Sequence, residues 1–225
     1  MASKGTVRDH ALFCDPRRSR RAGRHLLTHP FYCRWEAGAI GLGELAAYAE
    51  QYRLIERQLP LTLAGIAAQL PEGAAKSQVE ANLADELHSP APHTELFESF
   101  AKAAGARSDV GPTAATTNLL ASIRATVATD PTAALAMVAA YEWQGADIAA
   151  SKSKGLQRHF NMDAEATEFW DVHAALEADH AEWSIEALRS LRADPRVVTD
   201  FARRSAEDWW NFLDEREERA TAAAC

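Results

Sequence analysis

The sequence predicts an all-α protein, a single-domain helical bundle of about seven or more helices. Three observations carry that expectation. Alanine is abundant, while the 11 glycines and 9 prolines cluster between longer runs. Inside those runs apolar residues recur every three or four positions, the spacing of a half-buried helix. Nothing alternates with period two over a useful length, so no sheet is expected.

A basic segment, Arg17–Leu27, reads as a first helix and ends near His29-Pro30, because proline disfavours helix in the residue before it. Phe31–Gly43 reads as a turn or short helix, broken by Gly38, Gly41 and Gly43. A long helix starts near Glu44, with Leu45, Tyr48, Tyr52, Ile55 and Leu59 on its buried stripe. Pro60 is expected to kink this helix without ending it, since Leu61–Leu70 continues in the same apolar style. Pro71-Glu72-Gly73 separates a helix over Ala74–Leu87, which Pro90 and Pro92 stop. Further helices are expected over Thr94–Ala104 and Thr113–Ala128, with Gly105–Pro112 as the loop between them. Asp130-Pro131 is a start signal, aspartate as cap and proline in the first turn, for a long helix to Arg158. Another helix spans Ala164–Leu191, and Asp194-Pro195 opens the last, which carries Phe201, Trp209, Trp210 and Phe212.

Composition narrows the function classes. The 225 residues are 47% hydrophobic and 25% charged, which is enough for one packed core and unlike a disordered chain. No repeat or linker divides the chain, so residues 1–225 are read as one domain, with about ten N-terminal and eight C-terminal residues loosely held. The net charge of −8 argues against a nucleic-acid or anionic-membrane partner. The short cluster Arg17-Arg18-Ser19-Arg20-Arg21 reads as an interaction patch or, with no aromatic interleaving, a solvated helix face. No stretch approaches the ~20 apolar residues of a membrane span, and the N-terminus lacks the apolar core of a secretory leader. Cys14, Cys33 and Cys225 are odd in number, far apart and without a CxxC pair, so neither a disulfide framework nor a zinc site is expected and a reducing cytoplasm fits.

The chemistry concentrates in His173-Ala-Ala-Leu-Glu177-Ala-Asp-His180. Offsets of four and seven put two imidazoles and a carboxylate on one helix stripe, half of a site for a first-row transition metal. Phe169, Leu176 and Ile185 turn that face inward, whereas the flanking Asp171, Asp179 and Glu182 would equally suit an exposed charged stripe. Glu142 sits in the apolar run Met137–Trp143, where an unpaired carboxylate is costly, so it is either a ligand or the partner of a lysine such as Lys152. Glu86 and His93 complete the candidates, with Asp85 and His88 as competitors. The prolines between place His93 just after the helix that carries Glu86. Three carboxylates and three imidazoles suit two metal ions better than one.

These residues lie in longer strings: His29-Pro-Phe-Tyr-Cys-Arg-Trp35, Asn82-Leu-Ala-Asp-Glu86, Tyr141-Glu142-Trp-Gln144 with Lys152 and Gly155-Leu156, and His173-x3-Glu177-x2-His180. In these the chain resembles the haem-oxygenase-like dimetal oxidases, a superfamily that includes thiaminase II and the pyrroloquinoline-quinone C-type oxidases. Within it the likeness is to the 4-aminobenzoate synthase group of the chlamydial death-domain-associating protein. The resemblance implies a haem-oxygenase-like fold and the ligand set Glu86, His93, Glu142, His173, Glu177 and His180. It implies two metal ions, iron with iron or iron with manganese, and dioxygen and an external reductant as co-substrates. It also implies synthesis of the folate precursor 4-aminobenzoate from a tyrosine of the protein itself, with a lysine as amino donor. Carried over string by string, the tyrosine is Tyr32, the lysine is Lys152, and Tyr141 also matches. From the residues alone, Tyr32 could equally pack with Phe31 and Trp35, and Lys152 could be a solvated lysine beside Lys154.

Two positions depart from the group's pattern. Glu177 replaces an aspartate, which shifts the carboxylate by about one methylene. Phe169-Trp170 replaces a tyrosine expected shortly before the first histidine of the pair. The expected enzyme is therefore a cytoplasmic non-haem dimetal oxidoreductase with a small-molecule or self-derived substrate, as a homodimer. Alternatives are a dimetal oxidase of a diffusible fatty acid or amino-acid derivative, and a helical binding module without catalysis. Zinc is the less apt metal, being redox-inert.

Overall fold

The computed structural model describes residues 25–224. A short 3-10 turn, Leu26–Thr28, leads into nine α-helices among the described residues. They are α1 (Pro30–Glu36), α2 (Leu42–Glu56), α3 (Leu59–Gln69), α4 (Ala74–His88), α5 (His93–Ala103), α6 (Ala114–Thr129), α7 (Pro131–Phe160), α8 (Ala164–Ser190) and α9 (Pro195–Ala224). No strand occurs among them, as the period of the apolar residues predicts. The basic cluster at 17–21 and most of the expected first helix lie outside the described residues.

Helix starts follow their sequence signals. The Asp130 carboxylate accepts from the backbone N–H of Thr132 and Ala133 at 3.0 Å, and Asp163 accepts from Ala166 N–H at 3.0 Å. These bonds satisfy donors that the first turn of a helix leaves free. The left-handed Asn161 (φ 51°) closes α7. At α1 the cap is His29: its Nδ1 accepts from Phe31 N–H at 3.1 Å, so Nε2 carries the proton and donates to Asp214 at 3.0 Å. One imidazole thereby ties the start of α1 to α9.

The structure corrects one expectation. Pro60 does more than kink: α2 ends at Glu56 and α3 begins at Leu59. Proline lacks an N–H for the carbonyl four residues back and its ring crowds that carbonyl. Arg57 and Gln58, between the two helices, stay near helical dihedrals. Helix α9 runs as far as Ala224. Among the cysteines only Cys33 falls within the described residues; Cys14 and Cys225 lie outside them.

Helices α7 and α8 form the spine, packed along each other. α9 lies against α7, and α4 and α5 lie against α8. Two cores flank the middle of this spine. One is aromatic, with Phe31, Tyr32, Trp35, Tyr48, Tyr52, Phe97 and Trp170. The other is aliphatic, with Leu63, Ile66, Val79, Leu135 and Leu188. Along α7 residues 135–139 belong to the aliphatic core and 148–156 to the aromatic one. Along α8 the order reverses, with 169–170 aromatic and 187–188 aliphatic. The polar residues between, Glu142 on α7 and residues 173–180 on α8, face each other where the two cores meet. Among the described residues no helix is long and apolar enough to cross a membrane.

Candidate metal centre

All six sequence-derived ligands are buried and converge. Glu86, His93 and His173 form one triad and Glu142, Glu177 and His180 another. In each triad one donor atom per residue lies within 4.8 Å of the others. The stripe on α8 is thus an inward one, because both its neighbours across the interface, α4 and α7, present carboxylates. His93 is the first residue of α5 and is fully buried, whereas His88 is exposed at the end of α4. The turn between the two helices swings the chain around so that His93 Nδ1 reaches Glu86 Oε2 at 2.9 Å. Asp85, the competing carboxylate, stands 3.5 Å from His180 Nε2 at the edge of the cluster and is part-exposed.

Charge at the site follows from burial and pairing. His173 Nδ1 donates to the Phe169 carbonyl at 2.7 Å, which leaves Nε2 as the free lone pair. Burial lowers its pKa to about 4, so it is neutral near pH 7. For His93 burial works downward, but the Glu86 carboxylate at Nδ1 and the Ser89 carbonyl at Nε2 (2.9 Å) raise it overall. Burial pushes Glu142 up to about 7 although Ser184 Oγ and Asn82 Nδ2 donate to it at 2.6 Å each. Burial, with Glu142 and Glu86 nearby, pushes Glu177 well above the carboxylate range. Glu177 Oε2 and His180 Nε2 are buried without a hydrogen bond. Buried donor atoms left open beside charged neighbours are expensive in an ordinary core; here they are the atoms that would hold metal ions. The donor set, three carboxylates and three imidazoles, fits two divalent first-row ions.

Metal binding must displace protons from this cluster. Because His173 is neutral throughout, the carboxylates and the His93–Glu86 pair set the pH dependence. Affinity for ferrous ion is expected to rise as pH increases through about 7, where Glu142 deprotonates. Chelator competition at pH values on both sides of that point measures it, and a pH-independent affinity would contradict it.

Gly145 makes room for the longer Glu177 arm. One turn along α7 from Glu142, its backbone approaches so closely that a Cβ there would lie 2.6 Å from Glu177 Cδ. Gly145→Ala is expected to displace Glu177 and weaken metal binding roughly tenfold, given that overpacking costs about 1–3 kcal/mol. Adding Glu177→Asp, which withdraws the carboxylate by one methylene, is expected to restore much of that affinity. Metal titration of both variants tests the pair, and Gly145→Ala binding normally would refute it.

A second group surrounds the Lys152 amine, which is fully buried with no hydrogen-bond partner. Its Nζ stands 3.9 Å from the Trp170 ring centroid, 4.4 Å from Tyr52, 5.1 Å from Tyr48 and 5.4 Å from Tyr32. Burial pushes its pKa well down, against the pull of Glu56 and Glu177. It is therefore neither a solvated lysine nor the partner of Glu142. Tyr32 does pack with Phe31, which also meets Trp35, and its hydroxyl lies 3.3 Å from that of Tyr48. Burial raises its pKa, so the phenol keeps its hydrogen. From Tyr32 the rings continue through Tyr48 and Tyr52, 5.5 Å apart, to Tyr141, whose hydroxyl meets that of Tyr52 at 2.5 Å. Tyr141 stacks on Trp209 at 4.2 Å and precedes Glu142.

Sequence reasoning missed Glu56, Asn82 as a partner, Ser184 and the Lys152 cage of Tyr48, Tyr52 and Trp170. For Glu56 a signal existed: it falls four residues after Tyr52 on the apolar stripe of α2, as anomalous there as Glu142 is on α7. Beside Glu56 lies a cavity of about 60 Å³, lined mostly by apolar side chains and reaching Glu142.

Carboxylates and imidazoles aimed from four helices at two neighbouring buried points are the arrangement of a metal centre in a helical bundle. A family model described as iron-containing redox enzyme matches residues 46–210, and the chain belongs to that family. It is 35% identical over 210 residues to a 4-aminobenzoate synthase of Nitrosomonas europaea, covering 85% of each chain. It is 28% identical over 198 residues to one of Chlamydia pneumoniae, covering 84% of this chain and 88% of that one. In fold it resembles a TenA homolog from Pseudomonas syringae, with TM-score 0.74 and 12% identity over 97% of this chain and 99% of that one. It also resembles a domain with a heme oxygenase-like fold from Shewanella denitrificans, with TM-score 0.69 and 18% identity over 87% of each. The haem-oxygenase-like fold and the redox-enzyme class expected from the sequence hold.

Proposed function

We propose that this enzyme makes 4-aminobenzoate from its own Tyr32, using dioxygen, an external reductant and the amine of Lys152. The observation that carries the reading is the buried, unpartnered Lys152 amine in a cage that includes the Tyr32 ring. The names of the relatives in Nitrosomonas and Chlamydia support it. Two iron ions, or iron with manganese, held by Glu86, His93 and His173 and by Glu142, Glu177 and His180, would supply multi-electron reduction of dioxygen and an oxidant for a phenol.

The chain's own residues supply the rest. A tyrosine ring with its Cβ already has the carbon skeleton of the product; what it lacks is the amino nitrogen and the oxidised Cβ. Desolvation favours the neutral amine of Lys152, which has the lone pair that an ammonium ion lacks. The aromatic cage keeps water from competing with it for the ring. The phenol of Tyr32 stays protonated and so has a hydrogen to lose. Tyr48 and Tyr52 join it to Tyr141, the residue that precedes Glu142.

The reading of a diffusible fatty-acid substrate has less support. The cavity that reaches Glu142 holds about 60 Å³, against roughly 300–1,000 Å³ for a small-molecule pocket.

The test is incubation with ferrous ion, reductant and oxygen, followed by product and intact-mass analysis. The expected result is 4-aminobenzoate at no more than a single equivalent per chain and a mass loss localised to Tyr32. Protein grown on lysine with heavy nitrogen should pass that label to the product. Many turnovers per chain, with the chain's mass unchanged, would instead establish a diffusible substrate.

A further inference from the structure

The cavity beside Glu56 has no role in the chemistry described above. It opens between α2, α3, α6, α7 and α9, on a wall that includes the metal-ligand candidate Glu142. Its lining also takes in Leu59 and Ile123, which are only half-buried, so it lies between the outer part of the bundle and the metal centre. We propose that it is the dioxygen pocket of the enzyme, holding the gas next to Glu142; this rests on the oxygen-dependent reading above.

Size and polarity both select this guest. About 60 Å³ is room for a diatomic or a noble-gas atom, and apolar cavities stay dry and take up such weakly polar guests. A buried water needs ~2–4 polar partners, and the wall offers few. Both Glu142 oxygens are taken, by Asn82 and Ser184. Ser205 Oγ donates to the Met137 carbonyl, and the Gln58 side chain is engaged by Thr62 and Arg124. The hydroxyls of Tyr52 and Tyr141 hold each other. Glu56 Oε1 is the lining side-chain oxygen left buried without a partner. Met137 and Val138 close the wall one turn before Glu142, so a guest held against them is delivered to that carboxylate.

Xenon-pressurised crystals of the unaltered protein test the site without reference to activity, and xenon is expected in this cavity. Ile123→Trp, with Val138→Phe as a second variant should the first not fold, fills it. In the ferrous-loaded filled variant the oxidation rate in oxygenated buffer is expected to fall by an order of magnitude. Its ferrous stoichiometry should be unchanged. Ordered water in place of xenon, no xenon at all, or oxidation of the filled variant at the unaltered rate would overturn the proposal. If xenon binds and filling slows oxidation but no 4-aminobenzoate forms, the pocket stands and the synthase reading fails. If product forms with xenon absent from the cavity, the synthase reading stands and the pocket fails.

Discussion

Tyr32→Phe is expected to abolish 4-aminobenzoate formation while leaving the fold and the bound iron intact. The substitution removes one oxygen. The ring keeps its contacts with Phe31, 5.5 Å away, and the lost hydrogen bond to Tyr48 costs about 1 kcal/mol. That is small against the stability of a domain, so a folded variant follows. Chemically the change is total, because phenylalanine has no phenol hydrogen to lose and no ring oxygen to exchange for nitrogen. Tyr48→Phe is the informative control. Tyr48 lies as near Lys152 as Tyr32 does, at 5.1 Å against 5.4 Å. If Tyr32 is the source, the Tyr48 variant still shows the mass loss at Tyr32. A full yield from Tyr32→Phe would refute the assignment, and a mass loss at Tyr48 would transfer it.

Glu142→Ala and His180→Ala are each expected to lower iron content and to eliminate oxygen-dependent chemistry. Each removes a donor from the second triad, so the loss of affinity should exceed the ~10–100-fold typical of removing an outer partner of a ligand. The Glu142 variant has a second consequence. Asn82 Nδ2 and Ser184 Oγ lose their common acceptor, and buried donors left unpaired cost ~1–3 kcal/mol. Thermal unfolding without metal should therefore separate the variants. Glu142→Ala loses stability through those two donors. His180→Ala strands no donor in this way; its neighbours Asp85 and Glu86, at 3.5 and 3.7 Å, are acceptors. His88→Ala, on an exposed residue, is expected to keep full metal content. Unchanged iron in both ligand variants would make the two triads a structural polar cluster.

Much of this protein was legible in its sequence because the signals are local. Asp130, Asp194 and the prolines place helix ends, since capping needs only a few neighbouring residues. The stripe of His173, Glu177 and His180 follows from helical geometry alone. Other features depend on which helices meet. Pro60 ends α2 where its apolar neighbours suggested continuation, because the carbonyl it crowds is a backbone matter that side-chain pattern does not report. Glu56 stands out on its own helix, but only the fold brings its side chain to the cavity that reaches Glu142.

The sequence by itself determined the class: an all-helical chain with six metal-capable residues in recognisable order, in which Tyr32 and Lys152 match a common pattern. What the tertiary structure decided is which of them share a point in space. It sorted the six ligands into two triads, turned His93 inward in place of His88, caged Lys152 with Trp170 and three tyrosines, and left a small apolar cavity against Glu142. The physical reason is one of range. Helix periodicity and capping act over a few residues and are written in the chain. Desolvation of a lysine, a carboxylate pushed up to about 7 and the clearance at Gly145 arise from atoms on different helices, far apart in sequence. These exist only once the spine of α7 and α8 has closed.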